Sequence, residues 1–224
     1  MFRQMMPYIC SMRLSLFDAD GGMEALAPGA SVLRGFARKR DVELLAAIEE
    51  IAVQAPFRQM VTPGGFEMSV AMTNCGAAGW ITDRAGYRYQ SSDPVSGKPW
   101  PALPPQFLAL ADEAATAAGY TNFVPDACLI NRYEPGTKLS LHQDKDEAYH
   151  GHPIVSVSLG LPATFQFGGP KRTDPIRRVA LDHGDVVVWG GPSRLFHHGV
   201  LTLKNGEHPM TGARRFNLTL RRAL

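Results

Sequence analysis

Cysteine is scarce in this chain, with only three among 224 residues. Cys10, Cys75 and Cys128 form no CxxC pair, which argues against both a disulfide framework and a zinc knuckle, and a reducing cytoplasm fits best. Long hydrophobic runs are missing too. No stretch approaches the roughly 20 apolar residues of a membrane span. Met1 to Met12 is interrupted by Arg3, Gln4, Pro7 and Ser11, too polar for a secretion signal. A charge excess of one sign is also lacking: 23 Lys and Arg against 21 Asp and Glu leave a formal charge of +2. No overall field therefore draws the chain to nucleic acid or lipid, and any polyanion must be bound by local patches. Internal repeats and low-complexity tracts are absent as well. What is there is an ordinary globular balance, 45% hydrophobic and 20% charged, which excludes disorder over most of the length. The expectation is one soluble cytoplasmic domain, with no membrane and no second copy of the chain as partner.

Residues 1–29 carry turn-prone clusters at Asp18 to Gly22 and Pro28-Gly29 without a sustained period, and read as a loose leader. Residues 30–224 read as the single domain. Asp41 is placed to cap a helix to about Gln54, stopped by Pro56. Phe66 to Thr73 alternates, with Phe66, Met68, Val70 and Met72 on one face. Gly76 to Pro105, rich in Gly, Pro, Ser and aromatics, reads as a long functional loop with at most short strands. Pro104-Pro105 and Gly119 bracket a second helix. Beyond it come short strands at 126–133, 138–142, 154–159, 164–167, 177–181, 185–189 and 215–221. Helices followed by many short strands predict a mainly β fold with flanking helices, a jelly roll or related antiparallel sandwich.

His142-Gln143-Asp144 sets an imidazole and a carboxylate on one face of an extended segment, where both can share a metal. A 2-His-1-carboxylate set for Fe(II) needs one more His from a distant strand, and His198 is a candidate. The pair alone is a weak signal, since His183-Gly184-Asp185 repeats the pattern. That second pair precedes the apolar run Val186 to Trp189, so turn chemistry opening a buried strand is its better reading. On 215–221, Arg215, Asn217, Thr219 and Arg221 share one face, opposite Phe216, Leu218 and Leu220. If that face lines an interior, each guanidinium needs an anionic partner, for which a dicarboxylate cosubstrate is suited. A solvated edge strand is the alternative. Asn131 and Tyr133 alternate onto one face in the same way and could complete the pocket.

Asn131-Arg-Tyr133, His142-Gln-Asp-Lys-Asp146-Glu147, Ser193-Arg-Leu-Phe-His-His198-Gly199 and Arg215-Phe-Asn-Leu-Thr-Leu-Arg221 together closely resemble the bacterial AlkB family, from about Met12 to Leu220. Pro56 to Gly65 and His183 to Gly191 extend the likeness, and its beginning makes Met12 a candidate start. AlkB proteins are Fe(II)- and 2-oxoglutarate-dependent dioxygenases that repair alkylated nucleic acid. The resemblance implies a double-stranded β-helix, the jelly-roll variant, with its core at about 126–222 and a nucleotide-recognition lid at about 56–100. It implies His142, Asp144 and His198 as iron ligands; neighbours on a strand face opposite ways, so only one of His197 and His198 can bind. It implies Asn131, Tyr133, Leu139, Arg215, Asn217 and Arg221 as contacts to 2-oxoglutarate, with O2 as the other cosubstrate. For substrate it implies Thr62, Met72, Trp80, Tyr87, Asp146, Glu147 and Arg172. Trp80 would stack on a flipped base opposite His142, Thr62 and Tyr87 would meet phosphates, and Lys171, Arg177 and Arg178 could extend the basic patch at Arg172. The implied reaction is oxidative demethylation of bases such as 1-methyladenine and 3-methylcytosine, mainly in single-stranded DNA, with duplex DNA and RNA as further candidates. Hydroxylation of another RNA or of a small molecule is the nearest rival, and a non-catalytic jelly-roll binding module a more distant one.

Overall fold

The computed structural model describes residues 21–224. The expected leader therefore lies outside the described residues up to 20. Its remainder is not loose: β1 (Met23–Ala27) pairs antiparallel with β2 (Ala30–Leu33). Glu24 is shared by Arg34 and Arg177, and Arg177 also donates to the Ala25 carbonyl at 2.8 Å. So short an edge strand is held by these distant cations, which no local period announces.

Helix α1 (Asp41–Gln54) follows, and then β3 (Arg58–Val61), β4 (Glu67–Gly76), and the hairpin of β5 (Gly79–Asp83) and β6 (Gly86–Gln90). Asp41 is the first helical residue rather than the cap. One of its oxygens faces His183 Nε2 at 3.0 Å. Phe66, expected to open the buried face of β4, instead sits in the β3–β4 turn, 76% exposed. Helix α2 (Pro105–Ala117) leads to β7 (Ala127–Tyr133), β8 (Leu139–His142), β9 (Ile154–Gly160), β10 (Ala163–Phe167), β11 (Arg177–Leu181), β12 (Val186–Trp189), β13 (His198–Val200) and β14 (Arg215–Arg221).

Two sheets face one another. The larger runs β1-β2-β12-β9-β14-β7-β4-β3 and the smaller β11-β10-β13-β8, with all registered pairs antiparallel. This is the expected jelly-roll arrangement. Period two then decides what each strand buries. Val186 and Val188 of β12, Ile130 of β7, and Leu218 and Leu220 of β14 point to Leu44, Ile48, Phe107 and Leu110 of the two helices. Val187, Trp189, Leu129 and Tyr133 point the other way, to Phe165, Phe167 and Val200 of the smaller sheet. Helices thus seal one face of the large sheet, and the space between sheets is left for the inward residues of β14.

The second His-x-Asp pair builds a turn. Asp185 is 2% exposed and accepts from the backbone N–H groups of Gly35 (2.8 Å) and Asp182 (3.0 Å) and from Arg34 (2.7 Å). His183 Nδ1 accepts from Gly160 N–H at 2.9 Å. Removing a buried carboxylate strands three donors. Asp185→Ala should therefore lower unfolding stability by about 3 kcal/mol in urea titrations while leaving iron stoichiometry unchanged.

Candidate metal and cosubstrate site

His142 ends β8 and His198 opens β13, and the two stand opposite one another in the antiparallel pair. Asp144 lies two residues beyond the end of β8. The Nε2 atoms of His142 and His198 are 3.7 and 3.5 Å from the two carboxylate oxygens of Asp144, and all three ligand atoms lie within 4.8 Å of one another. Each imidazole has its Nδ1 against a backbone carbonyl, Ser140 at 2.9 Å and Phe196 at 3.0 Å. A carbonyl only accepts, so each Nδ1 carries the proton and each Nε2 lone pair faces the carboxylate, the tautomer a metal needs. His197 turns away, with its Nδ1 3.2 Å from the Gly169 carbonyl.

Charge settles the protonation states. Burial and the neighbouring His198 push the His142 pKa down to about 4, with Asp144 opposing. Burial works against ionising Asp144, but Arg221 and His198 hold its carboxyl well below the usual carboxylate range. Arg221 Nη2 donates to Asp144 at 2.7 Å. The set is thus two imidazoles whose Nε2 atoms face one carboxylate, open on its other side to a cleft of about 640 Å³.

The inward face of β14 lines the interior and is not a solvated edge: Arg215, Asn217, Thr219 and Arg221 are all buried. Asn217 donates to Ser156 Oγ (2.8 Å) and the Val157 carbonyl (3.0 Å), while Asn131 and Thr219 donate to its oxygen. Arg215, 1% exposed, lies with its guanidinium carbon 4.9 Å from the Tyr133 ring centre and donates to Ser158 Oγ at 3.0 Å. Its Nε and Nη1, and the Tyr133 hydroxyl, have no hydrogen-bond partner among the described residues. A buried cation with two unmatched donors is costly unless an anion completes it. A carboxylate held in the guanidinium fork satisfies both at once. Leu139 adds an apolar wall.

At the mouth, the rings of Trp80 and Tyr87 stack with centres 5.7 Å apart and planes 18° apart. Trp80 Nε1 donates to Asp146 at 2.8 Å. Met72 and Thr62 line the same cleft, as does Arg172, which donates to the Leu141 carbonyl at 2.7 Å. Glu147 requires a correction, because it does not line the cleft. It is 6% exposed and bound to Arg194 (3.2 Å), Arg221 (3.4 Å) and the Tyr89 hydroxyl (3.1 Å), which commits both oxygens internally. Arg177, bound to Glu24, is likewise committed and does not extend the basic rim.

Three contributors were missed in the sequence. Arg194, 3% exposed, donates to the carbonyls of Asp144 (2.7 Å) and His152 (3.0 Å), fixing the loop that carries the carboxylate ligand. Tyr89 joins the same network, and Trp189 packs its ring 4.9 Å from that of His198. The signal for Tyr89 was its place two residues beyond Tyr87 on β6, which puts the two on one face of the hairpin.

The family described as the 2OG-Fe(II) oxygenase superfamily matches residues 29–221. The chain is 64% identical over 211 residues to the alpha-ketoglutarate-dependent dioxygenase AlkB of Salmonella typhimurium, covering 94% of this chain and 98% of that protein. It is 34% identical over 122 residues to the nucleic acid dioxygenase ALKBH1 of Mus musculus, over 54% of this chain and 31% of that one. Among solved structures, OsALKBH1 superposes with a TM-score of 0.78 at 30% identity, covering 90% of this chain and all of that one.

Asp144→Ala should lower iron affinity by more than the roughly 10- to 100-fold that losing a hydrogen bond behind a ligand costs, read as metal content after dialysis. In the metal-free protein, the depressed His142 pKa stabilises the fold above the unfolded value near 6.5. That contribution should fade as pH falls from about 6.5 towards about 4, and His142→Gln should flatten the decline in urea titrations at stepped pH.

Proposed function

The chain belongs to the 2OG-Fe(II) oxygenase superfamily and is an Fe(II)- and 2-oxoglutarate-dependent dioxygenase, and we propose that it demethylates N-alkylated bases of nucleic acid, releasing formaldehyde. The preferred substrates in this reading are 1-methyladenine and 3-methylcytosine in single-stranded DNA, with duplex DNA and RNA as further substrates. The observation that carries it is one cleft joining a metal-ready His-Asp-His set, a stacked aromatic pair at its mouth and the Tyr133 ring, on which Arg215 packs with two unmatched donors.

His142, Asp144 and His198 hold Fe(II), and Arg215, Arg221, Tyr133, Asn131, Asn217 and Leu139 hold 2-oxoglutarate. The bound iron, with 2-oxoglutarate and O2, supplies the oxidising power that hydroxylates the N-methyl carbon, after which the hydroxymethyl adduct sheds formaldehyde. The protein's own task is positioning. Trp80, opposite His142, offers a π-face that replaces part of the stacking a base loses on leaving its strand. Single-stranded substrate is favoured because no base pair has to be broken. Met72, Leu129, Phe165 and Trp189 furnish apolar walls that keep bulk water from the reacting carbon. The Asp146 carboxylate beside Trp80 favours the cationic methylated bases over neutral undamaged ones. Thr62, Tyr87 and Arg172 sit at the rim where phosphates pass.

Residues 56–100 act in this reading as the nucleotide-recognition lid and 126–222 as the jelly-roll core. The cytoplasm is the proposed compartment and a monomer the working form; no described helix is long and apolar enough to cross a membrane.

Oligonucleotides carrying 1-methyladenine should release formaldehyde in step with iron and 2-oxoglutarate, and its absence from fully metallated protein would overturn the reading. Trp80→Ala should slow that release by about 10-fold or more, the worth of one stacked base; unchanged turnover would favour another RNA or a small molecule as substrate. Arg221→Ala should raise the apparent 2-oxoglutarate requirement, read from initial rates at graded cosubstrate.

A further inference from the structure

The β5–β6 hairpin touches the loop of the carboxylate ligand twice. On one face Trp80 Nε1 donates to Asp146. Its cross-strand partner Tyr89 goes deeper. The Tyr89 hydroxyl donates to Glu147 Oε1 at 3.1 Å and accepts from Arg221 Nη1 at 3.2 Å. The other terminal nitrogen of the same guanidinium donates to Asp144 at 2.7 Å. One planar group, with its two ends rigidly related, therefore spans the lid hairpin and a metal ligand. Burial, opposed by the Arg221 charge, holds the Tyr89 hydroxyl protonated, so it can donate and accept at once. Beyond Tyr89 and Asp144, Arg221 faces Glu147, which is itself held by the buried Arg194.

We infer that Tyr89 is a positioning residue that couples seating of the hairpin on substrate to the grip on 2-oxoglutarate, acting through Arg221. The coupling rests on the reading above, in which the hairpin receives the base and Arg221 contacts the cosubstrate. A seated hairpin pins one end of the guanidinium and so pre-orients the other at the metal and cosubstrate site. A lifted hairpin removes the hydrogen bond to Arg221 Nη1 and leaves the guanidinium only Asp144 and the longer contact to Glu147. Because equilibrium coupling is reciprocal, 2-oxoglutarate must also steady the hairpin when no nucleic acid is present.

Calorimetric titration of 2-oxoglutarate into the Mn(II)-loaded full chain, where no turnover occurs, measures the coupling directly. In the unaltered protein a 1-methyladenine oligonucleotide should tighten 2-oxoglutarate binding on the order of five-fold, the low end of coupling between sites. In Tyr89→Phe that factor should fall to about one, with metal stoichiometry retained. A factor unchanged in Tyr89→Phe, or absent in the unaltered protein, overturns the coupling. Formaldehyde release by the unaltered enzyme stands apart, since it tests the substrate reading alone. A second measurement needs no variant: amides of residues 79–90 should exchange more slowly once Mn(II) and 2-oxoglutarate are added, and unchanged exchange overturns the inference.

Discussion

The contact of 2.7 Å between Arg221 and Asp144 is the constraint on which the rest of the site depends. It joins the end of β14, in the middle of the large sheet, to the loop leaving β8 at the rim of the small one. Both groups are buried, so neither is affordable without the other or another countercharge. The fold satisfies them by bringing the sheets together at this end. With the carboxylate so placed, the antiparallel pairing of β8 with β13 brings His142 and His198 to it without further adjustment. A metal ion bound there would add positive charge beside Arg221, and the anionic cosubstrate, together with Glu147, answers that excess.

Most of the architecture could be read from the sequence because β14 obeys a strict period of two: Phe216, Leu218 and Leu220 are apolar, and Arg215, Asn217, Thr219 and Arg221 polar. Such a strand must separate an apolar space from a polar one, and that places a site inside the sandwich. The helices were legible for a similar reason, each having a clear stop. What stayed illegible was held by distant partners. β1 is an edge strand fixed by Arg34 and Arg177, and β13 is three residues long, too short to show a period. Both are consequences of tertiary contact rather than of local propensity.

Among the functional residues, the metal set was visible as a motif, whereas the roles within the acidic run Asp144, Asp146 and Glu147 were not. Charge and spacing make the three look alike. The structure divides them by depth: Asp144 faces the imidazoles, Asp146 faces the indole of Trp80 at the mouth, and Glu147 turns inward to Arg194 and Arg221. Arg194 could not have been separated from a surface arginine by pattern, since its neighbours Leu195 and Phe196 lie in a loop without period.

The near-neutral charge of the chain follows from the same division. Around the site the buried cations Arg194, Arg215 and Arg221 outnumber the buried carboxylates Asp144 and Glu147 by one. Arg194 and Arg221 are compensated internally, so the uncompensated charge sits on Arg215, next to Tyr133 and away from the iron ligands. In the proposed function, a dicarboxylate held at both the metal and Arg215 would bring a negative group to each, which a monocarboxylate of similar size cannot do. In that proposed function, selectivity for the cosubstrate would arise from where the unpaired guanidinium lies, and selectivity for a cationic base from the opposite sign at Asp146.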